Sequence, residues 1–241
     1  MSQNGYLSGV VLQIKNFQES DKLISFYSRE YGKIEVLVRG CRKIKSKLAP
    51  IVSEPFALLN LKVVKGKSHY HLIGGEVKER FRDILGSYEK ISQINILFLR
   101  INNLLKLKKP DSKILFLINK FLRKVSQSPQ KKIQIISSAF LIKFLSFLGY
   151  RPEIKHCLVC QEKPRGKELF FDLDKGGIVC LKHNSAEDQK QEKIKISQGV
   201  LQILQKLLYK DFDFLQKENF IAVDLEIVQK VIGEFYRWHA E

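Results

Sequence analysis

The chain has 241 residues, a hydrophobic fraction of 44% and a net charge of +17. That apolar content supports a core and excludes wholesale disorder, and the length suits two domains or one domain with a large appendage. The N-terminus lacks a basic region followed by an apolar run, and no stretch is apolar for the length of a membrane span, so a soluble, cytoplasmic protein without a membrane partner is expected.

Four cysteines do not make a secreted disulfide framework, and a reducing compartment fits them better. The charge is segregated. Residues 1–80 hold 14 bases and 7 acids, residues 81–150 hold 13 and 3, and residues 151–241 hold 15 and 15. All the excess therefore precedes residue 151, which creates a potential that draws in a polyanion, nucleic acid above all. The plainer alternative, lysines spread only for solubility, does not account for the segregation.

In chain order, residues 6 to about 78 carry strand signals. Tyr6 to Ile14 is β-prone, Leu23 to Tyr27 is short and apolar, and Ile34, Val36 and Val38 alternate with polar neighbours. Phe56 to Val64 and Tyr70 to Ile73 continue the series, with Tyr31-Gly32-Lys33 and Lys65-Gly66-Lys67-Ser68 as tight connections. About five short strands in so small a region predict a compact barrel of the OB type.

From Ser87 the apolar period becomes helical, through Ile91, Ile94, Leu97, Phe98, Ile101, Leu104 and Leu105. Lys108-Lys109-Pro110-Asp111 ends that helix and opens one from about Ser112 to Val125. Ser128-Pro129 opens a third, with a face of Ile133, Ile136, Phe140, Phe144 and Phe147, ending at Gly149. A polar run from Asn184 to Glu192 leads to a helix opened by Ser197, and a last helix is expected from Asp224 to Trp238. The fold class is therefore α+β: an OB-fold barrel over 1–80, then a helical domain over 81–241 carrying a knuckle at 157–183.

That knuckle is the sharpest motif. Cys157-x-x-Cys160 and Cys180-x-x-His183 are separated by nineteen residues with turn material at Pro164, Gly166 and Gly176-Gly177. Two ligand pairs of this spacing can hold one Zn²⁺ tetrahedrally, and four protein ligands leave no open position, so the expected role is structural. The alternative is a chance spacing, or thiols paired as disulfides.

Arg39, Arg42, Lys43, Lys45 and Lys47 place five bases in nine residues as the chain leaves a strand at Gly40. Cationic side chains on such a loop can follow a phosphate backbone. Lys33 precedes Arg39 by an even spacing and is expected on the same strand face. Tyr27, Tyr31 and Tyr70 are candidate base-stacking rings, although for each a core or rim position is the commoner fate.

Catalysis has little support: there is no phosphate-binding Gly-rich loop, His69-Tyr70-His71 has no third ligand, and no His-x-Glu precedes the cysteines. Glu19 with Asp21 and Asp172 with Asp174 could in principle hold Mg²⁺ in a nuclease, but they are expected to be surface turn acids.

Taken together, these stretches resemble the RecO family of bacterial recombination and repair proteins. The resemblance spans nearly the whole chain. It rests on Glu19-Ser20-Asp21-Lys22-Leu23, Tyr31-Gly32-Lys33, Arg39-Gly40-Cys41-Arg42-Lys43, Ser46 and Pro55-Phe56. It continues through Phe147-Leu148-Gly149-Tyr150-Arg151-Pro152, Phe171-Asp172, Gly176-Gly177, Cys180 and His183.

The resemblance implies no enzymatic turnover. It implies binding to single- and double-stranded DNA, annealing of complementary strands, and joint action with RecR in loading RecA onto strands coated by the single-strand-binding protein SSB. RecF is a candidate further partner, and the location implied is the nucleoid. Family members often carry cysteine where this chain has His183, and some lack the ligands, which favours a shape-holding metal. SSB has an acidic, apolar-ended tail, and a groove between basic helices, with Arg100, Lys120 and Arg123 as members, could hold it. The competing reading is a zinc-stapled scaffold whose basic face meets RNA.

Overall fold

The computed structural model describes residues 4–166, 168–184 and 192–240. The chain divides into two compact units, residues 1–127 and 128–241. The first begins with strands β1 (Asn4–Phe17), β2 (Asp21–Ser28), β3 (Gly32–Val38), β4 (Leu58–Lys65) and β5 (Tyr70–Glu79).

These close into a barrel in the order β1-β2-β3-β5-β4, sealed by parallel pairing of Val36 with Tyr70 and Leu37 with His71. β1 is long enough to pair with both neighbours: Asn4–Val10 lies along β4 and Gly9–Phe17 along β2, with a bulge between Val11 and Gln13. A bulge bends a strand, which is how one strand turns from one neighbour to the next. Gly9 sits where the strands come closest; a Cβ there would lie 2.1 Å from the Tyr27 carbonyl oxygen.

The period of two places Ile24 and Phe26, Ile34 and Val36, and Leu59, Leu61 and Val63 inside, all buried. This is the expected OB-type barrel. The loop from Arg39 to Ala57 is no loose appendage, since Cys41, Val52 and Ala57 belong to the barrel core.

Helices α1 (Arg82–Leu85), α2 (Tyr88–Leu104) and α3 (Ser112–Gln127) complete the first unit. Ser87 caps α2 by accepting the Lys90 amide proton. Ile94, Leu97, Phe98 and Ile101 form its buried face. Lys90 is itself buried, and its ammonium donates to the carbonyls of Val125 and Ser126 at 3.2 and 3.4 Å. A cation there satisfies the unpaired carbonyls at the C-terminal end of α3.

The second unit is built on α4 (Ile133–Phe147), which is apolar on nearly every side and is buried accordingly. Phe147, expected on its buried face, is instead exposed, because it lies in the last turn. Around α4 stand α5 (Gln198–Tyr209), α6 (Phe212–Lys217) and α7 (Ala222–Ala240).

The knuckle is part of a four-stranded sheet of β6 (Glu153–Cys157), β7 (Leu169–Asp172), β8 (Gly177–Cys180) and β9 (Lys193–Ile196), in the order β6-β8-β7-β9. The second unit is thus helical, with the knuckle carried on a small sheet. Most of the polar run expected over 184–192 lies outside the described residues. No described helix is long and apolar enough to cross a membrane.

Candidate metal centre and nucleic-acid interface

The sheet assembles the metal site. β6 and β8 run parallel with Cys157 opposite Ile178, and the β7–β8 hairpin delivers Cys180. A single 3₁₀ turn, Leu181–His183, then swings His183 back. The three sulfurs and the imidazole nitrogen all lie within 4.8 Å of one another. A tetrahedron with legs of about 2.3 Å has edges of about 3.8 Å, so this donor set fits one ion of the zinc type. None of the four cysteines is in a disulfide.

Burial raises the energy of a Cys157 thiolate, yet the amides of Cys160, Cys180 and Val159 and the ring of His183 hold its pKa down to about 6. The Cys180 and Val159 amides approach its sulfur at 3.4 and 3.5 Å. Cys180 goes the other way, pushed up to about 11 by burial and by the neighbouring Cys157 and Cys160 sulfurs. Thiols crowded so closely cannot all ionise comfortably alone, and a dication relieves that repulsion.

The basic loop is fixed at its base and free at its tips. Asp21, buried, accepts the Gly40 amide proton at 2.8 Å, and Gly40 takes the positive φ of 62° that the turn demands. The Arg42 amide donates to the Ser20 carbonyl at 2.9 Å and its guanidinium to the Glu19 carbonyl at 3.0 Å. Asp21 is therefore a structural staple of this loop and not a metal ligand. Arg39, Arg42, Lys43, Lys45 and Lys47 are all exposed, as is Ile44 among them. No described carboxylate pairs with any of these five cations.

Lys33 does not join them. Its ammonium turns to the Asn102 carbonyl, and burial lowers its pKa. Tyr27 is wholly buried with its hydroxyl bound to Asp111, whereas Tyr31 stacks on Tyr70 at 5.9 Å and 24° and stays half-exposed. Arg123 is engaged by Glu79 at 2.8 Å, which holds its pKa up, and Lys120 is exposed.

Asp172 corrects the expectation of a surface acid. It is fully buried at the end of β7, where it accepts the Lys175 amide proton at 2.8 Å and shapes the β7–β8 turn. Asp174 accepts from the Trp238 indole at 3.3 Å.

Barrel, cationic loop and closed donor set define a class: an OB-barrel protein with an exposed basic loop and a Cys₃His cluster that could hold one metal ion. Residues 1–81 match the family model described as recombination protein O N terminal, and residues 97–241 the one described as recombination protein O C terminal. The chain belongs to the recombination protein O family, and with it to DNA repair and recombination.

It is similar to the DNA repair protein RecO of Caldanaerobacter subterraneus subsp. tengcongensis, 28% identical over 232 residues covering 96% of this chain and 91% of that protein. The RecO of a Thermoanaerobacter species is 26% identical over 96% of this chain and 91% of its own. That of Listeria innocua is 25% identical over 95% and 86%.

Proposed function

We propose that this protein is a recombination mediator that binds single- and double-stranded DNA, anneals complementary strands, and with RecR helps load RecA onto SSB-coated DNA. The observation that carries the reading is the exposed, carboxylate-free cationic loop fixed to the barrel by Asp21 and Ser20. Annealing brings two polyanions together, and neutralising phosphates lowers their repulsion. Contacts to phosphate carry no base information, which suits action anywhere on a chromosome. Zn²⁺ in the knuckle holds the second unit's sheet in shape. RecR and the acidic tail of SSB are the protein partners, RecA is engaged indirectly, RecF is a candidate further partner, and the nucleoid is the place of action.

The test is annealing of complementary strands pre-coated with SSB, with and without the protein. Arg39→Glu, Arg42→Glu and Lys43→Glu together should abolish the acceleration, weaken single-strand binding more than about tenfold, and lower the salt slope by about two. Annealing unchanged by the wild-type protein would remove the reading.

A further inference from the structure

The segment joining α2 to α3 carries Lys106, Lys108 and Lys109, all exposed and none with an ion-pair partner among the described residues. It is welded to the start of β3. The Lys108 amide donates to the Lys33 carbonyl at 3.0 Å, and Leu107 forms a parallel bridge with Lys33. Gly32 takes a φ of 67° with its missing Cβ only 2.3 Å from the Lys109 carbonyl oxygen. Lys108 holds a left-handed φ of 57°, a conformation that costs a lysine energy and persists only where the surroundings enforce it.

This fixes the backbone that carries three exposed lysines against Lys33 and Gly32, next in the chain to Tyr31. Tyr31 backs onto Tyr70 in a parallel stack and keeps 47% of its surface open. Leu107 adds an apolar side chain that is 55% exposed. The nearby carboxylates are occupied: Glu30 accepts the Ser8 amide proton at 3.2 Å, and Asp111 accepts that of Lys113 at 2.8 Å.

From this arrangement we infer that Tyr31 with Lys106, Lys108 and Lys109 forms a second DNA subsite, specific for single strands. The inference rests on the DNA-binding reading and deepens it. The tyrosine face takes an unpaired base while the lysines take the flanking phosphates. A duplex keeps its bases stacked on each other, so it uses the lysines but not the ring. The subsite and the Arg39–Lys47 loop lie at opposite ends of β3, about 20 Å apart at the rise of a strand. One single strand can therefore engage both ends of the barrel, extended and with its bases unstacked, which is the state in which a complementary strand can pair with it.

The experiment titrates the full chain with a labelled single strand and with a duplex of the same sequence at two salt concentrations. Lys106→Glu, Lys108→Glu and Lys109→Glu together should weaken single-strand binding more than about tenfold and reduce its salt slope by about two. Tyr31→Ala and Tyr31→Leu should each weaken single-strand binding about tenfold or more while leaving duplex binding within about twofold, and Tyr31→Phe should match the wild type. The leucine keeps an apolar cover on Tyr70, so a loss shared by Ala and Leu but absent in Phe isolates ring stacking from folding. A lysine variant within about twofold of wild type, or tyrosine variants that lower both affinities alike or neither, overturns the subsite. If that occurs while the Arg39, Arg42, Lys43 variant still loses binding, the DNA reading stands without it; if no variant loses binding, the DNA reading itself falls.

Discussion

Tyr27 spans the barrel and the helices of the first unit through one oxygen. Its hydroxyl accepts the Asp111 amide proton at 3.0 Å and reaches the Asp111 carbonyl at 3.4 Å, with the whole side chain buried. Tyr27→Phe leaves the ring in place but strands the Asp111 amide, so stability in urea should drop by about 1–3 kcal/mol with an unchanged m-value. Burial also pushes the Tyr27 pKa above its ordinary value near 10. A raised folded-state pKa contributes stability that is complete below the unfolded value and lost as pH rises through the folded one. Unfolding followed from pH 8 to 11 should therefore show an alkaline loss in the wild type that is smaller in Tyr27→Phe. Equal losses in both would show that the titrating group lies elsewhere.

At the level of elements, the knuckle is where local spacing and tertiary structure meet. Cys157 reaches His183 at 3.7 Å only because β6 lies parallel to β8 and a 3₁₀ turn follows β8. Cys157→Ser should abolish stoichiometric zinc, measured by metal analysis of protein purified under reducing conditions; zinc retained at one per chain would show that Cys157 is not a ligand. In the chelated protein the two thiols act in opposite directions. Cys157, depressed to about 6, contributes stability that is present above the unfolded thiol value and lost as pH falls toward 6. Cys180, raised to about 11, contributes stability that is present below the unfolded value and lost as pH rises toward 11. The contribution of these two thiols to the stability of metal-free protein should accordingly peak near pH 9, read as the difference in melting temperature between the wild type and a Cys157→Ser, Cys180→Ser variant across that range.

The spacing of the four ligands was legible in the chain, and so was the alternation of Ile34, Val36 and Val38. The sheet around the knuckle was not. β9 is four residues, Lys193–Ile196, whose pairing with β7 comes from across the knuckle and not from its own pattern. α6 is illegible for a similar reason: six residues give less than two turns of periodicity, although its cap, Asp211 accepting the Phe214 amide proton at 2.7 Å, is written in the sequence. The inward turn of Lys33 was hidden because strand parity fixes a face and cannot reveal that Asn102 waits there with an unsatisfied carbonyl.

Over the whole molecule, the excess charge and the Cys₃His cluster sit in different units. Residues 1–127 carry 24 bases against 10 acids, whereas residues 128–241 carry 18 against 15. The polyanion-binding potential therefore belongs to the unit without the metal site. If the metal holds only the shape of its own unit, removing it should not reach the DNA contacts. Trp238, the sole tryptophan, donates to Asp174 beside the β7–β8 turn, and Phe235 on the same helix packs edge-on against Phe171 of β7 at 5.5 Å, so indole fluorescence reports the second unit. Chelation should lower the temperature of the fluorescence transition by about 5 °C or more, since structural zinc sites contribute folding energy directly. Below that transition, affinity for a single strand and its salt slope should stay within about twofold of the metal-loaded protein, because the proposed function assigns both to cations of the first unit. Affinity that fell in proportion to the zinc removed would instead place part of the DNA surface on the knuckle, and the division of labour between the two units would fail.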